Sequence, residues 1–228
     1  MVPLIRHYRE VWVWDFEFHA PDGYRPHPLC VVAREVFSGR RIVWWLDDGA
    51  PPAPPWSAAP DVLMVGFYVS AELTCHLALN WPFPTRLVAL YAEFRNLTSG
   101  LPVPAGHGLL GALMYYGLPG LAAADKEDMR RLAQRGGPYS SQEREALLDY
   151  CQSDVDALAT LLPMMLPQLD LGTALLRGRY TAAAARIEWN GVPLDVEKFT
   201  QLCDHWSRYG PISRRPSTVS TRSLSQRA

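Results

Sequence analysis

Apolar residues recur at two periods along this chain. Up to about residue 100 they come in short runs bounded by Gly, Pro, Asp and Ser, which is the mark of strands. Beyond residue 107 they recur at spacings of three and four, which is the mark of helices. The run from Glu10 to Phe18 is rich in Val, Trp and Phe and predicts a central strand, because branched and aromatic side chains suit a pleated, half-buried surface. A turn follows at Ala20-Pro21-Asp22-Gly23. Residues 28–35 and 41–46 predict two more strands joined through Ser38-Gly39-Arg40, giving three antiparallel strands. A proline-rich loop occupies 49–60. Residues 62–67, apolar throughout, predict a short buried strand of a parallel sheet that runs into a helix with Ser70 as its N-cap; 84–91 predict a further strand.

The second half predicts helices over 107–116, closing at Gly117, and over 125–134, closing at Gly136-Gly137-Pro138. A third opens at Ser140, whose spacing to Glu143 makes a capping box, and runs to about Leu162. Its inward stripe is Leu147, Tyr150/Cys151, Asp154/Val155 and Leu158, so an acid occupies a position where an apolar residue belongs. The resulting fold class is α/β: a mixed central sheet of three antiparallel strands and then parallel ones, flanked by helices.

Two acids interrupt the first strand. Asp15 and Glu17 are two residues apart and therefore point to one face. Two carboxylates that close stay ionised cheaply only with positive charge between them, and oxygen donors select a hard divalent ion such as Mg²⁺ or Mn²⁺. A solvent-facing acidic strand is the bland alternative, and the flanking apolar run argues against it. Tyr150 and Asp154, at i and i+4, present a phenol and a carboxylate from one helix face; an amphipathic helix with a boundary tyrosine and an exposed acid is the alternative there.

Composition narrows the classes. The 228 residues are 48% apolar, enough for one sizeable core plus an appendage, and the net charge of -1 excludes a broadly basic coat for nucleic acid. Cys30, Cys75, Cys151 and Cys203 lie far apart with no C-x-x-C pair, which fits a reducing compartment and indicates neither a disulfide framework nor a zinc site. With no apolar stretch of membrane-spanning length and no signal peptide, the expectation is a cytoplasmic protein.

Asp15-x-Glu17, an acid after the fourth strand, and Tyr150-x-x-x-Asp154 together resemble the three motifs of the ribonuclease-H-like DEDD 3′–5′ exonucleases. The tyrosine is similar to that of the Y-type subgroup, typified by proofreading domains of family A DNA polymerases. The resemblance spans roughly residues 8–168. Residues 177–180 and 187–195 resemble the segment that follows the exonuclease domain in phage-like or bacterial polymerases. The second motif places Glu72 where the family has aspartate, with no asparagine before it, so a side chain one methylene longer has to reach the metal from a backbone set farther back. Glu93 is the fallback acid, with a strand-end surface position as its ordinary reading.

The resemblance implies two divalent ions, Mg²⁺ or Mn²⁺, with Asp15 bridging both, Glu17 and Asp154 completing the site that activates water, and Glu72 acting through water on the second ion. Tyr150 would orient the attacking water. It further implies hydrolysis from a 3′ end with release of nucleoside 5′-monophosphates. The partner is then a single-stranded nucleic-acid 3′ end, DNA as the first expectation, with a separate polymerase as a further one. An exoribonuclease trimming RNA or short oligonucleotides is the enzymatic alternative, and a catalytically weak nucleic-acid-binding or polymerase-associated module is the non-enzymatic one.

Candidate strand contacts are Phe16 and Phe18 beside Glu17, His107 at a loop-to-helix junction, and Lys126 and Arg130 on the charged helix; each has a packing or solvated reading beside it. The expected domains are residues 1–170 for the exonuclease unit and 171–208 for a helical segment. Residues 209–228 form a Ser/Thr/Arg-rich tail whose composition predicts disorder.

Overall fold

A computed structural model describes residues 3–21, 23–119 and 123–206. Five strands form one sheet: β1 (Glu10–His19), β2 (His27–Glu35), β3 (Arg41–Trp45), β4 (Val62–Gly66) and β5 (Arg86–Ala89), in the order β3-β2-β1-β4-β5. β1–β2 and β2–β3 are antiparallel, while β1–β4 and β4–β5 are parallel. The mixed sheet expected from the hydrophobic runs is therefore present, with β1 at its centre. Alternation along β1 sends Val11 and Val13 into one core and Trp12, Trp14 and Phe16 into the other.

Helices cover both faces. On the Val13 face lie α2 (Leu90–Leu97), α3 (Leu109–Tyr115) and α5 (Ser141–Met165), with α4 (Ala123–Arg135) packed on β1 and α5. α5 begins with the predicted capping box, in which Ser140 and Glu143 bond each other's backbone N–H. On the Trp14 face lie α1 (Val69–Ala78) and α6 (Leu171–Asn190). The first compact unit extends past residue 170 to Asn190, because α6 packs against α1 and β5. The second unit, described by itself, carries α7 (Val196–His205), which Asp195 caps through the Lys198 N–H at 3.1 Å. No described helix is long and apolar enough to cross a membrane. The tail at 209–228 lies outside the described residues, as does Asp22 of the expected turn.

Two expected elements differ. The strand expected over 84–91 is β5 for four residues and turns helical at Leu90, because the following Leu, Tyr, Ala, Glu, Phe and Arg can continue a helix as readily as a strand. Ser70 does not cap α1; Tyr68 occupies that position and no side chain bonds there.

Gly178 explains how closely α6 approaches the sheet: a methyl group there would lie 1.9 Å from the carbonyl oxygen of Leu87 in β5. In an exposed helix, Gly→Ala stabilises by about 1 kcal/mol. Here Gly178→Ala has the opposite sign, with an expected loss of about 2–3 kcal/mol by overpacking, read as a lower urea midpoint at unchanged slope. Beside it, Arg177 grips the buried Glu93 with two bonds, Nε–Oε1 at 2.6 Å and Nη2–Oε2 at 2.5 Å.

Candidate active site

The three acidic motifs converge where β1 outruns β4. The last β1–β4 pair is Val13–Val65, so Asp15 and Glu17 project beyond the partner strand, opposite Val32 and Cys30 of β2. The register shifts between Glu17 and Phe18, an irregularity that re-aims side chains at the end of the strand. From β4 the chain enters α1 almost at once, which places Glu72 in the first turn of that helix. α5 crosses β1 and β2 and supplies Tyr150, Cys151 and Asp154.

Electrostatics join the four carboxyls and the phenol. Burial pushes the Glu72 carboxyl well above the usual carboxylate range, and the Asp15 and Asp154 carboxylates push it further. Burial also raises the Tyr150 phenol above its ordinary 10.0, with Asp154, Glu17 and Asp15 adding to the effect and Asp154 accepting its hydrogen bond. Tyr150 is therefore protonated throughout the neutral range and is a donor, not a base.

These residues fit a divalent cation. Oε2 of Glu72 is buried with no hydrogen-bond partner among the described residues, and like charges crowd around it. One donor atom from each of Asp15, Glu17 and Cys151 lies within 4.8 Å of the others. A bound cation would satisfy the orphaned oxygen and reverse the repulsion that holds a proton on Glu72. Mg²⁺ or Mn²⁺ at about 100 times its dissociation constant is expected to raise Tm by about 5–10 °C. The rise is larger at pH 8 than at pH 5, because the ion has to displace the Glu72 proton; scanning calorimetry at the two pH values measures it.

Not every sequence candidate joins the cluster. Phe16 is 4% exposed and packs in the aromatic core with Trp14, His76 and Trp81. That corrects the reading of Phe16 as a strand contact: strand alternation turns it away from the face carrying Asp15 and Glu17. Phe18, past the register shift, is half-buried and lines a cavity of about 190 Å³ with Glu17, Ala20, Arg130, Ala133 and Gln134. Arg130 is thus brought to the site. His107 packs its ring 5.8 Å from Phe94, and the side chain of Lys126 lies outside the described residues. Glu93 is neither a site acid nor on the surface, being 1% exposed and held by Arg177.

Cys151 is the site residue that sequence reasoning passed over. Its thiol donates to the Asp15 carbonyl oxygen at 3.3 Å and lies 3.6 Å from Asp15 Oδ2. The signal was present, since Cys151 shares the inward stripe of α5 with Asp154.

No family model matches the chain, and no curated protein matches it in sequence. Solved structures do match in fold. Brucella melitensis NrnC superposes with a TM-score of 0.60 at 15% identity, covering 83% of this chain and 90% of that one. The same protein with bound Mg²⁺ and bound to pGG matches at 0.58 and 0.57. Escherichia coli RNase D, described as an exoribonuclease involved in structured RNA processing, matches at 0.55 with 15% identity, covering 89% of this chain and 51% of that one. The chain shares the ribonuclease-H-like α/β fold of these solved nucleases.

Proposed function

We propose that this chain is a metal-dependent 3′–5′ exonuclease. The observation that carries this is the convergence of Asp15, Glu17, Glu72 and Asp154, with the Tyr150 phenol among them, at the edge of the sheet. Divalent ions would be held by the four carboxylates and would supply acidification of the attacking water and neutralisation of charge on the attacking and leaving oxygens. Tyr150, protonated and oriented by Asp154, holds that water by a hydrogen bond. Cys151, through the Asp15 carbonyl, keeps the Asp15 carboxylate in place. Attack on phosphorus breaks the P–O3′ bond of the terminal linkage, freeing a nucleoside 5′-monophosphate and leaving a 3′-hydroxyl on the shortened strand.

Phe18 and Arg130 form the strand-binding side next to Glu17. Arg130 places a cation opposite a phosphate of the incoming strand, so Arg130→Ala is expected to weaken binding equally for all sequences. The slope of log affinity against log salt should fall by about one unit, measured by anisotropy from 50 to 200 mM salt.

Two substrate readings remain in play, each with its own support. RNA or short oligonucleotides fit the structural neighbours at least as well as DNA, since RNase D is described as an exoribonuclease and NrnC was solved bound to pGG, a dinucleotide. A DNA proofreading role rests on the Tyr150-x-x-x-Asp154 motif and gains nothing from those neighbours. Turnover of matched RNA and DNA strands, dinucleotides included, discriminates: faster RNA cleavage supports the first reading and faster DNA cleavage the second.

A further inference from the structure

A second cavity, of about 180 Å³, lies where β4 and β5 end, between the start of α1, α2 and α6. β1, β4 and β5 are parallel, so this cavity shares its edge of the sheet with the acids. Tyr68 of its wall is the N-cap residue of α1, whose first turn carries Glu72. Three tyrosines line it. Tyr68 is 54% and Tyr180 76% exposed, and Tyr68 meets Tyr91 edge-on at 5.1 Å. Ser70, Thr181 and the acid Glu188 also line it.

We propose, resting on the exonuclease reading above, that this cavity takes one nucleobase of the strand whose 3′-terminal linkage lies over the acids. Large aromatic faces left in water beside a small cavity are suited to stacking a flat ring, and every base offers a π-face. The Glu188 carboxylate repels a phosphate but accepts from ring and amino N–H groups, so the cavity favours a base over the backbone. Tyr68 and Tyr180 are the stacking residues. Because the cavity and the acids sit on neighbouring parts of one edge, the base belongs to a nucleotide upstream of the one released, and a dinucleotide is too short to gain from it fully.

The test is binding of 5′-fluorescent strands, each with one abasic position near the 3′ end, to the full chain in chelator, followed by anisotropy. The native protein is expected to lose about 10-fold in affinity at one abasic position. A Tyr68→Ala/Tyr180→Ala variant should bind the intact strand about 10-fold more weakly and show no further loss at that position, whereas Tyr68→Phe/Tyr180→Phe keeps the native pattern. Equal binding by native and alanine variants, or loss at every abasic position alike, overturns the proposal. So does a change of molecular mass in light scattering on Tyr→Ala, which would mean that a second copy fills the cavity. A native protein that releases mononucleotides normally but shows a silent abasic scan fails this inference alone; one that releases none from any strand fails the exonuclease reading and the cavity with it.

Discussion

Asp15→Ala is expected to abolish phosphodiester hydrolysis, a loss of about 10³-fold or more, while leaving the protein folded. Asp15 is the carboxylate that the rest of the site addresses. It raises the proton affinity of Glu72 and of Tyr150, and Cys151 bonds its carbonyl oxygen. In the proposed role as a metal ligand, loss of Asp15 removes several kcal/mol of stabilisation for developing charge, and each 1.4 kcal/mol is a factor of ten in rate. The fold should survive, because a half-buried acid in a crowd of acids contributes repulsion in the absence of a cation. Metal-free thermal unfolding of the variant should therefore occur at or above the native temperature. A variant that is both inactive and unfolded would mean that Asp15 has a structural role instead. Tyr150→Phe separates orientation from ion binding: turnover falls about 10–100-fold, and the metal-induced rise in Tm stays.

Acid is expected to destabilise this protein between pH 6.5 and 4 through one buried histidine, His76. His76 is fully buried among Trp14, Phe16, Trp56, Trp81 and Phe83, with Nδ1–H donating to the Pro82 carbonyl at 2.9 Å and Nε2 buried with no hydrogen-bond partner among the described residues. Burial lowers its pKa from 6.5 to about 4. The unfolded imidazole takes a proton below 6.5 and the folded one resists until about 4, so the unfolded state binds more protons across that window. Stability is complete above pH 6.5 and falls by about 3 kcal/mol as the pH drops to 4. Glu72 acts in the opposite sense, because its raised pKa favours the folded state at low pH. The difference in urea stability between native and His76→Phe proteins across pH 4–7 isolates the histidine. A pH-independent difference would contradict its neutral burial.

The site was legible in the sequence wherever its geometry is local. Asp15-x-Glu17 needs only strand alternation and Tyr150-x-x-x-Asp154 only a helical turn, and the structure brings all four residues together with Glu72. Phe16 shows a local rule applied too loosely: the alternation that pairs Asp15 with Glu17 also turns Phe16 to the opposite core. What was not legible depends on partners distant in the chain. Glu93 finds Arg177 from 84 positions away, and Gly178 matters only once α6 is known to lie on β5. Nothing in residues 171–190 by themselves says that they complete the first compact unit.

The cluster around Asp15 is proposed as a metal-dependent exonuclease centre acting from the 3′ end. The direct measurement follows RNA and DNA strands labelled in the 3′-terminal nucleotide, with Mg²⁺, Mn²⁺ or chelator, using native and Asp15→Ala proteins. Labelled nucleoside 5′-monophosphate is expected as the first product, formed only with metal and only by the native protein. Internal fragments appearing first, or release that persists in chelator or in Asp15→Ala, would contradict it.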